Sequence, residues 1–592
     1  MKRAKRVAVA ASAVGALALV AAGCGGSSKK ASKTGSTPNT AGKQGGTLTY
    51  LAASDVDHID PGQVYYTFGY MVHYSVNRTL YSFPAGKGAA SVPDIAAGPP
   101  DISADNKTIT IKIKTGIKYA PPVNREVKAA DIKYAFERAF SANIASGYAG
   151  AYFQDIEGAP KAGAGPVKPI SGVQAPDDTT VVIKLTKPVA QFVAQALVMP
   201  ITTPVPEEYA KPFDAKTPTD FDQYASFTGP YMVKNDAKGK LVGHVPGKSI
   251  TLIRNPNWVK ATDYRPAYLN QIDIQEGNDD SLTATRRALT GSHIMCCDYG
   301  QPPAEILKQA STANKDQLDF IPGGGTRYIA LNTTIKPFDN VNVRKAIIAA
   351  SDRNALRLAR GGETVGPIAN GWIPPGIPGF DEGGGLTQNT DLDFLKSPTG
   401  DPAVAKKYMD AAAAEGLPIK NGKWTGSDKI LTVATNADPG KKVAETFQGQ
   451  IEALGFKLNF RQVPQSELYV KFCGVPAQKV ALCPNVAWFK DFVDPQSMLQ
   501  PTFNGNNINA SNNNNWPQLN DKAINDAMDS AGVLPVGTDR NKAWADINHK
   551  IAEQAPAIPY VWDQTIMVHS KDVQSAINEY ADGQDLNSTS LK

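Results

Sequence analysis

The sequence predicts an α/β fold spread over several domains, and three observations carry that prediction. Its 592 residues exceed one ordinary core of about 150 residues. With 42% hydrophobic and 20% charged residues, 21 Tyr, 20 Phe and 7 Trp, the chain can bury cores and is not disordered throughout. From Gly45 onward, short β-rich runs alternate with amphipathic helical patterns, the order expected of mixed α/β architecture.

The first segment stands apart. Lys2, Arg3, Lys5 and Arg6 precede an uncharged apolar stretch from Val7 to Ala22, then Gly23, Cys24 and a polar run. A basic start, an apolar stretch short for a membrane span and small residues before a cut read as a secretory signal over residues 1–23. Gly25 to Gln44 is rich in Gly, Ser, Thr and Lys and lacks hydrophobic periodicity, so residues 24–44 read as a flexible tether. Residues 1–44 hold eight Lys and Arg and no acid. The overall +5 therefore belongs to them: from Gly45 onward 53 Lys+Arg face 56 Asp+Glu, a net −3. The folded part carries no basic excess that would point to nucleic acid.

Gly46–Leu51, Thr108–Ile113, Thr180–Leu185 and Ile250–Ile253 read as strands between turn formers. Ala129–Phe136, Val343–Ala350 and Lys441–Leu454 place apolar residues on one helical face. Asn504–Asn515, Asn-rich and uncharged, reads as a surface loop whose amides are weak candidates for ligand contact. No repeat of 20–50 residues is present.

Besides Cys24 there are four cysteines, an even number that fits an oxidising exterior. Cys473–Cys483 is the favoured disulfide, because Gly474-Val475-Pro476 can turn the chain back across a short loop. For the adjacent Cys296 and Cys297, a strained bridge, two free thiols and cross-pairing all stay open. No C-x-x-C spacing supports zinc. The six histidines, His58, His73, His244, His293, His549 and His569, lack ligand spacing and read mostly as surface residues. No metal and no cofactor is expected. Catalytic signatures fail too: there is no G-x-S-x-G, no H-E-x-x-H and no G-x-G-x-x-G opening a helix. Gly243–Ser249 has three residues between its glycines where a P-loop needs four, and reads as a turn before the strand at Ile250. The chain is not expected to be an enzyme.

Two resemblances add to this reading. Ala21-Ala22-Gly23-Cys24 resembles the bacterial lipobox, which implies cleavage before Cys24, its acylation and anchorage on the membrane by lipid. Several further segments together resemble family 5 of the bacterial extracellular solute-binding proteins, the receptors of peptide and nickel ABC importers. They are Gly45-Gly46-Thr47-Leu48 with Ile59-Asp60-Pro61; Pro93-Asp94-Ile95-Ala96 before Asn106–Tyr119; Ala130-Asp131-Ile132; Thr228-Gly229-Pro230-Tyr231; and Arg254-Asn255-Pro256-Asn257-Trp258. Leu331-Asn332-Thr333, Pro337–Asn340, Val343–Ala346, Ser351-Asp352-Arg353, Pro374-Pro375-Gly376 and Trp488–Pro495 follow in family order.

The resemblance implies a two-lobed, periplasmic-binding-protein-like fold of type II, hinged between the lobes and carrying an extra inserted domain. It places the first lobe at 45–78, 199–325 and 555–592, the inserted domain at 79–198 and the second lobe at 326–554. It also implies the function: a monomeric, lipid-anchored, extracytoplasmic substrate-binding component that captures oligopeptides by lobe closure and hands them to an ABC permease. The alternatives are the same fold with a sugar, opine or metal chelate, or an extracellular hydrolase.

In peptide-binding relatives the first Asp of W-x-x-D-x-x-D-P pairs with the peptide α-ammonium. That pattern implies the same role for Asp491, with capping of the turn before Pro495 as its competing role. Trp488 is an apolar wall or an ordinary core aromatic, and Tyr65 and Tyr66 are weaker candidates for the cleft. Asp494 is expected to organise the turn, Arg344 to sit within a helix and Arg353 at that helix's end, all structural. Some relatives carry a basic residue shortly before the tryptophan that receives the peptide C-terminus. This chain has Asn485 there.

Overall fold

The computed structural model describes residues 42–86, 91–298, 302–580 and 583–592. The expected signal, Cys24 and the tether as far as Ala41 lie outside them. Among the described residues no helix is long and apolar enough to cross a membrane.

The chain opens with β1 (Thr47–Leu51), whose Leu48 and Tyr50 face the core, and α1 (Thr67–Val76), buried along nearly its whole length. β2 (Asp101–Ile102) and β3 (Thr108–Lys112) follow, with Ile109 and Ile111 alternating inward as a period of two requires. In α2 (Ala129–Ala139), Asp131 accepts from the Lys128 backbone N–H at 2.9 Å and chelates Arg125 at 2.7 Å, which fixes the helix start. β4 (Val173–Asp177) and β5 (Thr180–Lys184) complete a four-stranded sheet in the order β2-β3-β5-β4.

Next come β6 (Tyr231–Val233), β7 (His244–Val245), β8 (Ser249–Arg254), β9 (Gln271–Gln275), β10 (Ile294–Cys296) and the 14-residue β11 (Leu318–Leu331). α3 (Val341–Ala350) and α4 (Arg353–Arg360) are separate helices, so Arg353 opens the second one and does not close the first. Both arginines serve structure: Arg344 donates to the carbonyls of Phe338 and Gln554, and Arg353 to those of Ala369 and Leu395. β12 (Lys429–Thr435), α5 (Gly440–Ala453), β13 (Lys457–Val463), β14 (Leu482–Phe489), α6 (Pro495–Phe503), α7 (Thr538–Glu553) and the 13-residue β15 (Ala557–His569) complete the frame.

An 11-stranded sheet runs β13-β12-β14-β11-β15-β10-β1-β9-β8-β6, with β7 beside β8. β11 and β15 are antiparallel and tie its two halves. Leu318–Ile321 pair with Thr565–Val568, whose far end meets β10, whereas Gly325–Leu331 pair with β14. Their register shifts between Ile321 and Gly325. There a Cβ on Gly323 would strike the Asp563 carbonyl, and one on Gly325 the Phe489 ring, so glycine is what lets the strands cross so closely.

The hydrophobic cores follow this division. One gathers residues between Leu48 and Met295 with Val573, Leu586 and Leu591; a second centres on the four-stranded sheet, from Val64 to Ile201. The third, the largest, runs from Tyr328 to Val561, and Ala557, Ile558, Tyr560 and Val561 pack into it past residue 554. Cys473 and Cys483 are joined, with Cα atoms 6.3 Å apart, and Cys296 is joined to Cys297.

The first and second cores are held together by a buried ion network. Arg138 of α2 chelates Asp60, in the loop after β1, at 2.6 and 2.7 Å, and Asp214 at 2.7 and 2.8 Å. All three side chains are essentially sealed from solvent.

Candidate functional site

The loop after β14 places its carboxylate through three constraints. The Lys490 backbone N–H donates to the Gly324 carbonyl at 2.9 Å. Phe492 is drawn between Tyr152 and Phe192, with ring centroids 5.1 and 5.4 Å away. Asp494 caps α6, accepting from the Gln496 N–H at 2.8 Å, and pairs with Arg540 at 3.0 Å. Asp494 thus holds the turn, and Asp491 is left free of that task.

Asp491 is 4% exposed. Its Oδ2 accepts from the hydroxyl of Tyr65 at 2.8 Å and from that of Tyr152. No Lys, Arg or His pairs with it among the described residues. Burial pushes its carboxyl up to about 7, against the pull of the two tyrosine hydrogen bonds. A carboxylate held this way lacks a cation and keeps Oδ1 for a further donor.

Around it lies a cavity of about 1110 Å³, counting space open to solvent. Tyr65, Tyr66, Trp488 and Asp491 all line it. Asp57 sets the first two, its Oδ2 accepting from the backbone N–H groups of Tyr65 and Tyr66 at 2.5 and 3.1 Å. The Trp488 indole N–H donates to the Ser497 carbonyl at 2.8 Å, and its ring meets Tyr65 edge-on at 5.3 Å. Tyr469 and Trp516 extend the wall, stacked at 4.7 Å, and Tyr469 meets Tyr66 at 5.1 Å. Such apolar walls with a few fixed polar groups are what small-molecule sites require.

Another part of the lining is cationic. Arg327 of β11 and Arg360, the last residue of α4, both bond the single carboxylate of Asp563, at 2.7 and 2.9 Å. Both line the cavity, and Arg360 Nη1 is buried without a partner. Burial and the repulsion of Arg327 press Arg360 below the usual guanidinium range. Two guanidinium groups on one carboxylate leave net positive charge there. Arg327 Nη1 also donates to the Asn485 carbonyl at 3.2 Å, so the neighbouring strand puts a cation beside the position where the sequence lacks one.

The Asn-rich segment differs from the loop expected. Asn504, Asn513, Asn514 and Asn515 are buried; the amides of the last three donate to backbone carbonyls, and the Asn504 side-chain oxygen accepts from the Asn506 N–H. Asn514 lines the cavity. The histidines also differ: His73 and His569 are buried.

Two long strands joining two α/β halves around a polar-ended aromatic cleft define a two-lobed solute-binding protein. The chain belongs to the bacterial extracellular solute-binding proteins of family 5, whose model matches residues 90–510. Among curated proteins it is 26% identical over 544 residues to the di/tripeptide-binding protein 3 of Pseudomonas aeruginosa, covering 89% of this chain and 91% of that one. It is 27% identical over 406 residues to the oligopeptide-binding protein OppA of Bacillus subtilis, covering 68% and 67%. The murein tripeptide-binding protein MppA of Escherichia coli shares the fold with a TM-score of 0.74 at 18% identity, over 93% of this chain and 99% of that one. The family is one of substrate-binding proteins and not of enzymes.

Proposed function

We infer that the protein is a peptide receptor: it takes a short peptide into the cleft with the free α-ammonium on Asp491 and the carboxylate end toward Arg327 and Arg360. The buried Asp491, lacking a cation of its own, is the observation that carries this reading. An ammonium would supply charge-assisted bonds to the free Oδ1 and repay the cost of holding a buried carboxylate. The aromatic wall from Tyr65 to Trp516 suits side chains of varied shape between the two charged ends. The peptide-binding names of the relatives support the same reading.

Lobe closure belongs to this reading: a ligand that touches both lobes only when they are closed binds that arrangement better and shifts the population toward it. In this reading the lipid on Cys24 anchors the receptor on the extracytoplasmic face of the cell membrane, and an ABC permease accepts the closed, loaded form.

The test is to release whatever the purified protein carries and identify it by mass spectrometry. Short peptides recovered intact are expected. Recovery of a sugar, an opine or a metal chelate would replace the peptide reading, and recovery of peptide fragments after incubation with intact peptides would make the protein a hydrolase.

A further inference from the structure

A second cluster of chemically competent side chains lies away from Asp491, where three strands of the first half end together. Asp55 follows β1, His244 is in β7, and Glu276 is the residue after β9. The sheet brings them together through its register. Leu51 pairs with Gln275, Ile250 pairs with both Ile274 and His244, and the Glu276 N–H donates to the Lys248 carbonyl at 2.9 Å. His244 Nε2 lies 3.0 and 3.1 Å from the two oxygens of Asp55. One donor atom from each of Asp55, His244 and Glu276 falls within 4.8 Å of the others.

Glu276 is the informative member. Both its carboxylate oxygens are closed off from solvent without a hydrogen bond of good geometry, the Gly247 backbone N–H being the neighbouring donor. A buried carboxylate beside another carboxylate is costly unless a cation or proton lies between them. Asp222 and Asp298 add to the negative field on His244 and Glu276. Nearby cations of the chain do not relieve it: neither Asp55 nor Glu276 has a Lys or Arg ion-pair partner among the described residues. Asp55 also borders a cavity of about 680 Å³ that includes Ala437 and Gln465, residues shared with the main cleft, so a small ion has an entry path.

We propose that Asp55, His244 and Glu276 form a divalent transition-metal site of the Zn²⁺ class at the rim of the cleft. The donor set is one imidazole and two carboxylates. Their charge of −2 matches a dication, and an imidazole donor selects against Ca²⁺ and Mg²⁺, which take oxygen ligands. With metal–ligand bonds of about 2.0–2.2 Å, tetrahedral ligand atoms sit roughly 3.3 Å apart. The His244–Asp55 pair, at 3.0 and 3.1 Å, is close to that spacing, and the Glu276 donor atom lies within 4.8 Å of both. Three protein ligands leave a fourth position for water or for a group on the bound solute.

Isothermal titration of Zn²⁺ into the chelator-stripped, full-length protein tests this. One equivalent is expected to bind, with at least tenfold weaker affinity in His244→Ala and in Glu276→Gln, and with Ca²⁺ and Mg²⁺ silent. Co²⁺ in place of Zn²⁺ is expected to show d–d absorption bands that vanish in His244→Ala. His58→Ala, near Asp222 but outside the cluster, is the control that keeps binding. Circular dichroism confirms that each variant is folded, and Asp491→Asn separates the two sites because it should leave Zn²⁺ affinity unchanged. Absence of Zn²⁺ binding, or equal binding by folded His244→Ala and Glu276→Gln, overturns the proposal.

Discussion

Asp491→Ala is expected to weaken peptide binding by about two to four decades, because removing one side of a buried charge pair costs roughly 3–5 kcal/mol. Isothermal titration of one peptide against parent and variant measures it. A loss below tenfold would move the ammonium site elsewhere. The raised carboxyl adds a pH signature. In the empty cleft Asp491 takes up its proton near pH 7, whereas the unfolded chain holds it only to the ordinary value of 3.8. The ligand-free fold therefore loses stability as pH rises from 3.8 to about 7, and the loss is complete above that. Asp491→Asn, which does not ionise, should lack this slope. Peptide binding demands the ionised form, so affinity should fall by about tenfold per unit as pH drops below 7, with release of a proton on binding.

Arg138→Met is expected to give the largest loss of stability, about 3–5 kcal/mol. It leaves Asp60 and Asp214 buried without their cation, at the seam between the first core and the four-stranded sheet domain. Tyr134 and Thr219 still donate to Asp214, and the Gly62 N–H still donates to Asp60, but these neutral donors cannot offset two carboxylate charges. Equilibrium denaturant unfolding of parent and variant measures the effect. A change under 1 kcal/mol would mean that hydrophobic contacts alone hold the seam.

Local patterns in the sequence go far toward this structure. Thr108–Lys112 and Ala129–Ala139 form as a strand and a helix because their apolar periods are clean and their ends are marked by turn formers and by Asp131. The Trp488–Pro495 segment exposes its own logic: Asp494 precedes a proline at a helix start and becomes the cap, which leaves Asp491 for the cleft. What stays hidden is whatever depends on pairing between distant strands. Tyr152 reaches Asp491 across 339 positions. Arg327 and Asp563 meet because β11 and β15 are neighbours in the sheet, and Arg360 joins them from the end of α4. His244 shows no ligand spacing because its partners lie on two other strand ends. The Asn-rich segment misleads for a similar reason: its polar side chains satisfy buried backbone carbonyls, a role that composition does not reveal.

The peptide reading rests on an amine meeting Asp491, so the most direct measurement is a pair of titrations with one short peptide, its N-terminus free in one and acetylated in the other. The free peptide should bind tightly and the acetylated one at least a hundredfold more weakly, with that difference abolished in Asp491→Asn. Equal affinity for the two peptides in the parent protein would contradict the account.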